Sequence, residues 1–309
     1  MKYIRYCFIL SVLFLTGNPV SSHPSWGIAI DTKGTIYFAD ILHNGIGTIW
    51  KIDPAGQVSE LLTDFHAHDL QMDAEGNLWV AEDRWIQGVI EGEGQQTLLK
   101  ITPEGKKQTI IFTEDRDEFF GGSFALGPDS SVYFPLHKRI WKKAFNGNTS
   151  LLIDHQFERI VTLYTDEHFN LWITDKGHKQ GTLYKWNKDI GLVEYVTALL
   201  PTDPDAPIFE EERFQLLYGI TSDKEGFIYV TESADRSVRK INQDSRHSVF
   251  YTSEETWYPA GIAFHEGNAY IMEVGYERGH EGPRIISINP EGELEMLFDY
   301  EAYQKRRGK

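Results

Sequence analysis

The chain has 309 residues, 46 of them acidic and 30 basic, for a formal net charge of −16. Acidity on that scale excludes nucleic acid or an anionic membrane as the natural partner of the surface, and it favours solubility and attraction of cations. The single cysteine, Cys7, lies in the first apolar run, so the chain beyond it has no disulfide framework and no thiolate to use as nucleophile or ligand.

Residues 1–22 read as an export signal. Lys2 and Arg5 give the positive start, residues 6–15 the apolar stretch, and Val20-Ser21-Ser22 a small-residue cleavage site. The apolar run is about ten residues, too short to span a bilayer. The expectation is an exported protein, periplasmic or extracellular, with no membrane insertion after cleavage.

From residue 27 a sentence begins that the chain repeats. Gly27-Ile28-Ala29-Ile30-Asp31-Thr32-Lys33-Gly34-Thr35-Ile36-Tyr37-Phe38-Ala39-Asp40 reads as an apolar strand, a tight turn, an aromatic-rich strand and an acid. It returns over 68–82, 123–136, 162–175, 219–232 and 261–273. Each copy then offers a third strand, at 48–53, 97–102, 139–144, 182–187, 237–242 and 284–289. A fourth follows near 57–62, 107–112, 149–153, 192–196, 248–251 and 293–298. Four short strands per unit, alternating apolar and polar around Gly, Pro and Asp turns, mark a propeller blade. The predicted fold is all-β: a six-bladed β-propeller over 23–309, with four antiparallel strands per blade. The blades fall at about 26–63, 68–113, 122–154, 160–197, 217–252 and 259–299. Both terminal units carry all four strands, so the ring is expected to close by packing of blade six on blade one. The basic end, 305–309, reads as a solvated tail.

Loop lengths are asymmetric. First-to-second-strand turns are short, whereas 82–96, 273–283 and 197–217 are long. In a four-stranded meander these long connections emerge together, on the face where first strands begin and second strands end. That is the expected working face.

The repeat resembles the NHL repeat and is similar to the gluconolactonase and senescence-marker family of six-bladed propellers. The resemblance implies the fold over the whole mature chain and a lactonase-like or lyase-like activity. In the lactonases, Glu, Asn and Asp just before the first strands bind the metal. Here those positions are Trp26, His68, Gly122, Val161, Tyr218 and Ala260, so the calcium site does not carry over. In the propeller lyase that completes peptide amidation, the same column supplies histidines to zinc, and His68-Asp69-Leu70 resembles one of those segments.

Three groups of residues carry candidate chemistry. His66, His68 and Asp69 are metal-ligand types, for one divalent ion, zinc or calcium, with Glu82 as a further ligand. Against that stands a reading in which His68 lines the channel and bonds backbone while His66 is solvated. The strand-end acids Asp40, Glu82, Asp175, Glu232 and Glu273 form a column. Either they point inward or they accept hydrogen bonds from their own blade turns, and His68, Glu82, Glu232 and Glu273 are the candidate catalytic groups. Trp26, Arg84, Trp85, Tyr218, Tyr276 and Arg278 are the candidate ligand contacts, suited to a sugar, a peptide or another small polar molecule. Trp79, Tyr133, Trp172, Tyr229 and Tyr270 recur at one strand position and read as core. The expected function is ligand or partner binding on the long-loop face around the central channel. The alternatives are a metal-dependent hydrolase or lyase at the channel mouth, and a non-catalytic protein-interaction platform.

Overall fold

The computed structural model describes residues 24–43, 47–84, 93–145, 147–201, 217–277 and 280–308. The signal-like residues 1–22, Trp85 and Arg278 lie outside them. Among the described residues no helix is long and apolar enough to cross a membrane.

Six antiparallel sheets follow one another along the chain, each built from consecutive strands. Blade one is β1 (Ile28–Ile30), β2 (Ile36–Asp40), β3 (Thr48–Ile52) and β4 (Val58–Thr63). Blade two is β5 (Ala67–Met72), β6 (Leu78–Arg84), β7 (Glu93–Ile101) and β8 (Lys107–Asp115). Blade three is β9 (Ala125–Leu126), β10 (Val132–Leu136), β11 (Arg139–Lys143) and β12 (Thr149–Ile153). Blade four is β13 (Ile160–Thr165), β14 (Leu171–Asp175), β15 (Thr182–Asn187) and β16 (Gly191–Val196). Blade five is β17 (Leu217–Ser222), β18 (Ile228–Glu232), β19 (Ser237–Ile241) and β20 (His247–Thr252). Blade six is β21 (Trp257–His265), β22 (Asn268–Glu277), the two-residue β23 (His280–Glu281), β24 (Arg284–Ile288) and β25 (Leu294–Asp299). The third and fourth strands fall where the sequence places them. The inner strand of blade three is cut to two residues, between the flexible Gly121-Gly122 pair and Pro128, which has no N–H to give a ladder.

The repeated Asp-x-x-Gly turn has a clear cause. Asp31 Oδ1 accepts the N–H groups of Lys33 and Thr35 at 2.9 and 2.8 Å, while Gly34, at φ +82°, donates to the Asp31 carbonyl. The other carboxylate oxygen takes the polar tip of the aromatic residue six positions on. Tyr37 reaches Asp31 at 3.3 Å, Trp79 reaches Asp73 at 2.8 Å, Trp172 reaches Asp166 at 2.9 Å and Tyr229 reaches Asp223 at 2.8 Å. Acid, left-handed residue (Gly in three of these turns, Phe169 at φ +58° in the fourth) and aromatic ring are therefore one device that closes the hairpin and ties it to the blade face.

The core is six inter-blade layers. Between blades one and two, Ala39 and Ile49 meet Leu70, Leu78 and Val80; between four and five, Trp172 and Leu183 meet Leu217, Ile228 and Val230. Threonines stitch the same seams: Thr174 Oγ1 donates to the Leu217 carbonyl and Thr231 Oγ1 to that of Ala260. Blade six closes on blade one without exchanging a strand, through Met272, Val274, Ile285 and Phe298 against Ile28, Phe38 and Trp50.

α1 (Tyr300–Arg306) lies against that seam, and the basic residues Lys305, Arg306 and Arg307 are exposed as expected. Asp299 caps it through the Ala302 N–H at 2.7 Å, and the Tyr303 ring lies 5.3 Å from that of Trp50. The half-buried Tyr300 and Tyr303 rings hold the helix on the blade while its basic end stays in water.

At the inner rim of the seam there is no room for a side chain. A Cβ on Gly261 would lie 2.4 Å from the Trp26 carbonyl oxygen. Gly261→Ala is expected to destabilise the ring by about 1–3 kcal/mol, the range of an overpacked core position. Urea unfolding measures it, and an unchanged midpoint would mean that the seam is looser than this contact requires.

Candidate site at the channel mouth

Inner strands of six blades converge so closely that residues opening them meet across the axis. Trp26 stacks on His68, with ring centroids 5.4 Å apart and planes at 24°, and on Tyr218 at 5.8 Å and 23°. Val161 packs against this pair of aromatics. The Trp26 and Gly27 N–H groups both donate to the His68 carbonyl, at 2.9 and 2.8 Å. Exposures of 7% for Trp26, 3% for His68 and 1% for Tyr218 make this layer a floor closing the channel. Trp26 and Tyr218, expected as ligand contacts on an open face, are buried, their rings stacked on one another.

Above the floor, the His66 ring meets that of His68 edge-on at 4.8 Å, and His66 itself is half-buried. Glu82 holds the segment in place. Its Oε1 accepts from the His66 N–H and from Arg84 Nε, both at 3.2 Å. Arg84 also reaches the Asp64 carbonyl. A continuous set thus runs Tyr218, Trp26, His68, His66, Glu82, Arg84, drawn from three blades. On blade four, Lys176 follows the second strand on the same face as Arg84, with its amide bonded to the carbonyl of Arg159. Burial and the Arg159 charge push the Lys176 ammonium down to about 8.

The other strand-end acids are held by protein donors. Glu232 accepts from the Ala234 and Asp235 N–H groups and from the Ser237 hydroxyl, and burial pushes its carboxyl up to about 7. Glu273 is fully buried and receives Tyr251 Oη at 3.1 Å and Arg284 Nε at 2.5 Å. Asp175 accepts from Glu158, Arg159 and Gly177 N–H groups, and Asp40 from Leu42 N–H. Asp40 and Glu232 thus cap the loop after the second strand, Asp175 also ties in the amides that precede the first strand of its blade, and Glu273 is bound to Tyr251 of blade five and to Arg284. Tyr276 lies in β22, its backbone paired with Glu281.

Nor do His66, His68 and Asp69 converge as a ligand set. Asp69 turns along the ring, where its Oδ2 accepts from Ser123 Oγ at 3.2 Å and Phe124 N–H at 3.3 Å, both in blade three. Glu82 is committed to a backbone amide and an arginine. Among the described residues no three His, Cys, Asp or Glu side chains group so as to hold a metal. The donor set does not fit zinc or calcium.

Asp69 has a role that the repeat conceals. By strand register it occupies the position of Gly27, Ser123, Thr162, Gly219 and Gly261. Where that residue is glycine, the next blade packs directly on it: a Cβ on Gly27 would lie 2.6 Å from Leu70 N. Where it is polar, it bonds the next blade's backbone. Asp69 takes Phe124 N–H, Ser123 Oγ takes Leu163 N–H at 3.0 Å, and Thr162 donates to the Tyr218 carbonyl. Burial raises the Asp69 carboxyl to about 7.

Below the aromatic floor the channel widens into a chamber of about 550 Å³. It opens on the opposite face, among the first-to-second-strand turns.

No family model matches the sequence, and no curated protein matches it. Solved structures do match in three dimensions. Virginiamycin B lyase from Staphylococcus aureus superposes with a TM-score of 0.57 at 16% identity, over 89% of this chain and 84% of the other. A gluconolactonase from Xanthomonas campestris gives 0.58 at 11%, over 81% and 83%. An auxiliary nutrient binding protein from Bacteroides ovatus gives 0.56 at 12%, over 81% and 67%. At these identities the likeness is one of fold, and the chain is a six-bladed β-propeller of the architecture those proteins share.

Proposed function

We propose that the protein is an exported binding propeller that takes a small polar ligand, a sugar acid or a peptide, at the channel mouth. The observation that carries this reading is the set from Tyr218 to Arg84. Its buried rings make a rigid floor, and its half-buried members, His66 and Arg84, are held by one carboxylate. A preformed floor with a few fixed polar groups is how small-molecule sites achieve orientation. Arg84, Arg159 and Lys176 favour a carboxylate on the ligand.

The test is calorimetric titration of the protein with sugars, sugar acids and dipeptides. For any binder, His66→Ala and Arg84→Ala are each expected to weaken binding about tenfold or more with the melting temperature moved by less than ~2 °C. A binder indifferent to both substitutions would place the ligand elsewhere and overturn the reading.

The perpendicular imidazoles of His66 and His68 favour a second reading, lactone hydrolysis or elimination with His66 as the acid or base. The gluconolactonase and lyase among the similar structures agree with that chemistry. Turnover of an aldonolactone that survives His66→Ala would remove it.

A further inference from the structure

The chamber beneath the floor belongs to neither reading. Its closed end is Trp26, and its walls are the inner-strand side chains Ile28, Ile30, Leu70, Met72, Ile220 and Ile262. At about 550 Å³ it has the size of an ordinary small-molecule site. Its charge is one-sided. Asp69, Asp73, Glu75, Asp166 and Glu167 line it, whereas none of its described lining residues is Lys, Arg or His.

These acids are not equivalent. Asp73 and Asp166 are consumed by their turns, each accepting from an asparagine and a tryptophan of its own hairpin, and Lys100 offsets Asp73 and Glu75 at 3.2 and 3.5 Å. Asp69 is different: it is 5% exposed, sits at the deep end, and has no cation against it in any ion pair among the described residues. Its donors are all neutral: Ser123 Oγ and Phe124 N–H serve Oδ2, and the Leu70 amide and the Gln71 side chain also bond the carboxylate, so no positive charge balances it. The other polar side chains nearby face protein partners. Gln71 donates to the Phe124 and Leu163 carbonyls, and Tyr164 Oη meets Ser222 Oγ at 2.9 Å.

We propose that the chamber is a second binding site, specific for a small organic ammonium ion whose charged head bonds Asp69 and whose hydrocarbon part fills the apolar walls. The walls decide against a bare metal ion, which needs several oxygen or nitrogen donors around one point. The missing countercharge decides against an anion. An ammonium supplies the charge-assisted hydrogen bond that an isolated buried carboxylate lacks. The acidic rim favours entry of cations from the turn face. The face at the mouth, with Arg84 and Lys176, would select the opposite charge, so the two ends of one channel differ in ligand class.

The experiment is titration of the full-length protein with butylammonium and benzylammonium, and with butanol and benzyl alcohol as uncharged counterparts, followed by calorimetry and ligand-observed NMR. Saturable one-to-one binding is expected for at least one ammonium, about tenfold or more tighter than its alcohol. Asp69→Asn should abolish that preference. Because Asp69 also joins two blades, Ala263→Phe serves as a second variant: it fills the chamber from blade six and should block the ammonium while leaving the inter-blade bonds of Asp69 intact. His66→Ala should weaken binding of the mouth's own ligand while leaving the ammonium affinity as it is. Absence of saturable ammonium binding, binding that survives both Asp69→Asn and Ala263→Phe, or binding lost in His66→Ala would each overturn the proposal.

Discussion

Replacing Trp172 with alanine is expected to destabilise the protein by about 3–5 kcal/mol, the cost of truncating a large buried ring. The indole is 3% exposed in the layer between blades four and five, beside Leu217 and Ile220. Tyr195 meets it edge-on at 4.8 Å, and Lys185 Nζ lies 5.2 Å from the ring centre. Its Nε1 donates to Asp166 Oδ2 at 2.9 Å, so the same substitution deprives the turn carboxylate of a donor. Trp172→Phe separates these contributions. It keeps most of the apolar contact and removes the hydrogen bond, for an expected loss of about 1–2 kcal/mol. The urea midpoints of the two variants measure both, and equal losses would show that the hydrogen bond, not the packing, secures the seam.

Trp172 also shows what a single sequence makes readable. Its recurrence with Trp79, Tyr133, Tyr229 and Tyr270 at one strand position reads as a core column, because a propeller repeats its packing every blade. The hydrogen bond from the aromatic tip to the Asp six positions earlier emerges only once the turn is closed. The mouth was less legible. Glu232 and Glu273 end second strands as Glu82 does, yet the alternation of a strand does not say whether a terminal carboxylate points to the axis or back into its loop. The loop decides that: the short 233–236 connection offers Glu232 its N–H groups, and Arg284 claims Glu273. Trp26 and Tyr218 looked like open aromatics because nothing in the sequence gives the channel radius, which brings their rings together. Asp69 was read as a partner of the histidines, its neighbours in sequence. Aligning it with Gly27, Gly219 and Gly261 reveals the other reading, a position that faces the next blade. The helix at 300–306 had a signal in Asp299 as cap and in Tyr300 and Tyr303 one turn apart, masked by the basic residues that follow.

The stability of the protein is expected to fall as pH rises from about 5 to about 8, and Asp69→Asn is expected to remove much of that slope. Burial raises both the Asp69 and the Glu232 carboxyls to about 7. A carboxyl raised in the folded state is stabilising while protonated, below its unfolded value near 4, and the contribution is lost as pH climbs through the folded value. For Asp69, 5% exposed, the loss is on the order of 2–4 kcal/mol across the window. Other shifted groups do not spoil the test, because Glu232, Lys176 and His247 are unchanged in the variant. Asp129, held down to about 2 by Lys142, acts in the opposite sense, and only at pH below its ordinary value. His178 acts in the same sense, its slight burial outweighed by Glu158 and Glu194, but it is unchanged in the variant. Asparagine preserves the acceptor for Phe124 N–H and cannot ionise. Any strain from its amide is a constant offset, so the difference in urea midpoint between variant and wild type should move in favour of the variant as pH rises. Parallel pH curves would mean that Asp69 is already ionised in the folded protein at about pH 5. The chamber would then hold a permanent charge, and the bonds from Ser123 and Phe124 would be strong enough to keep it there.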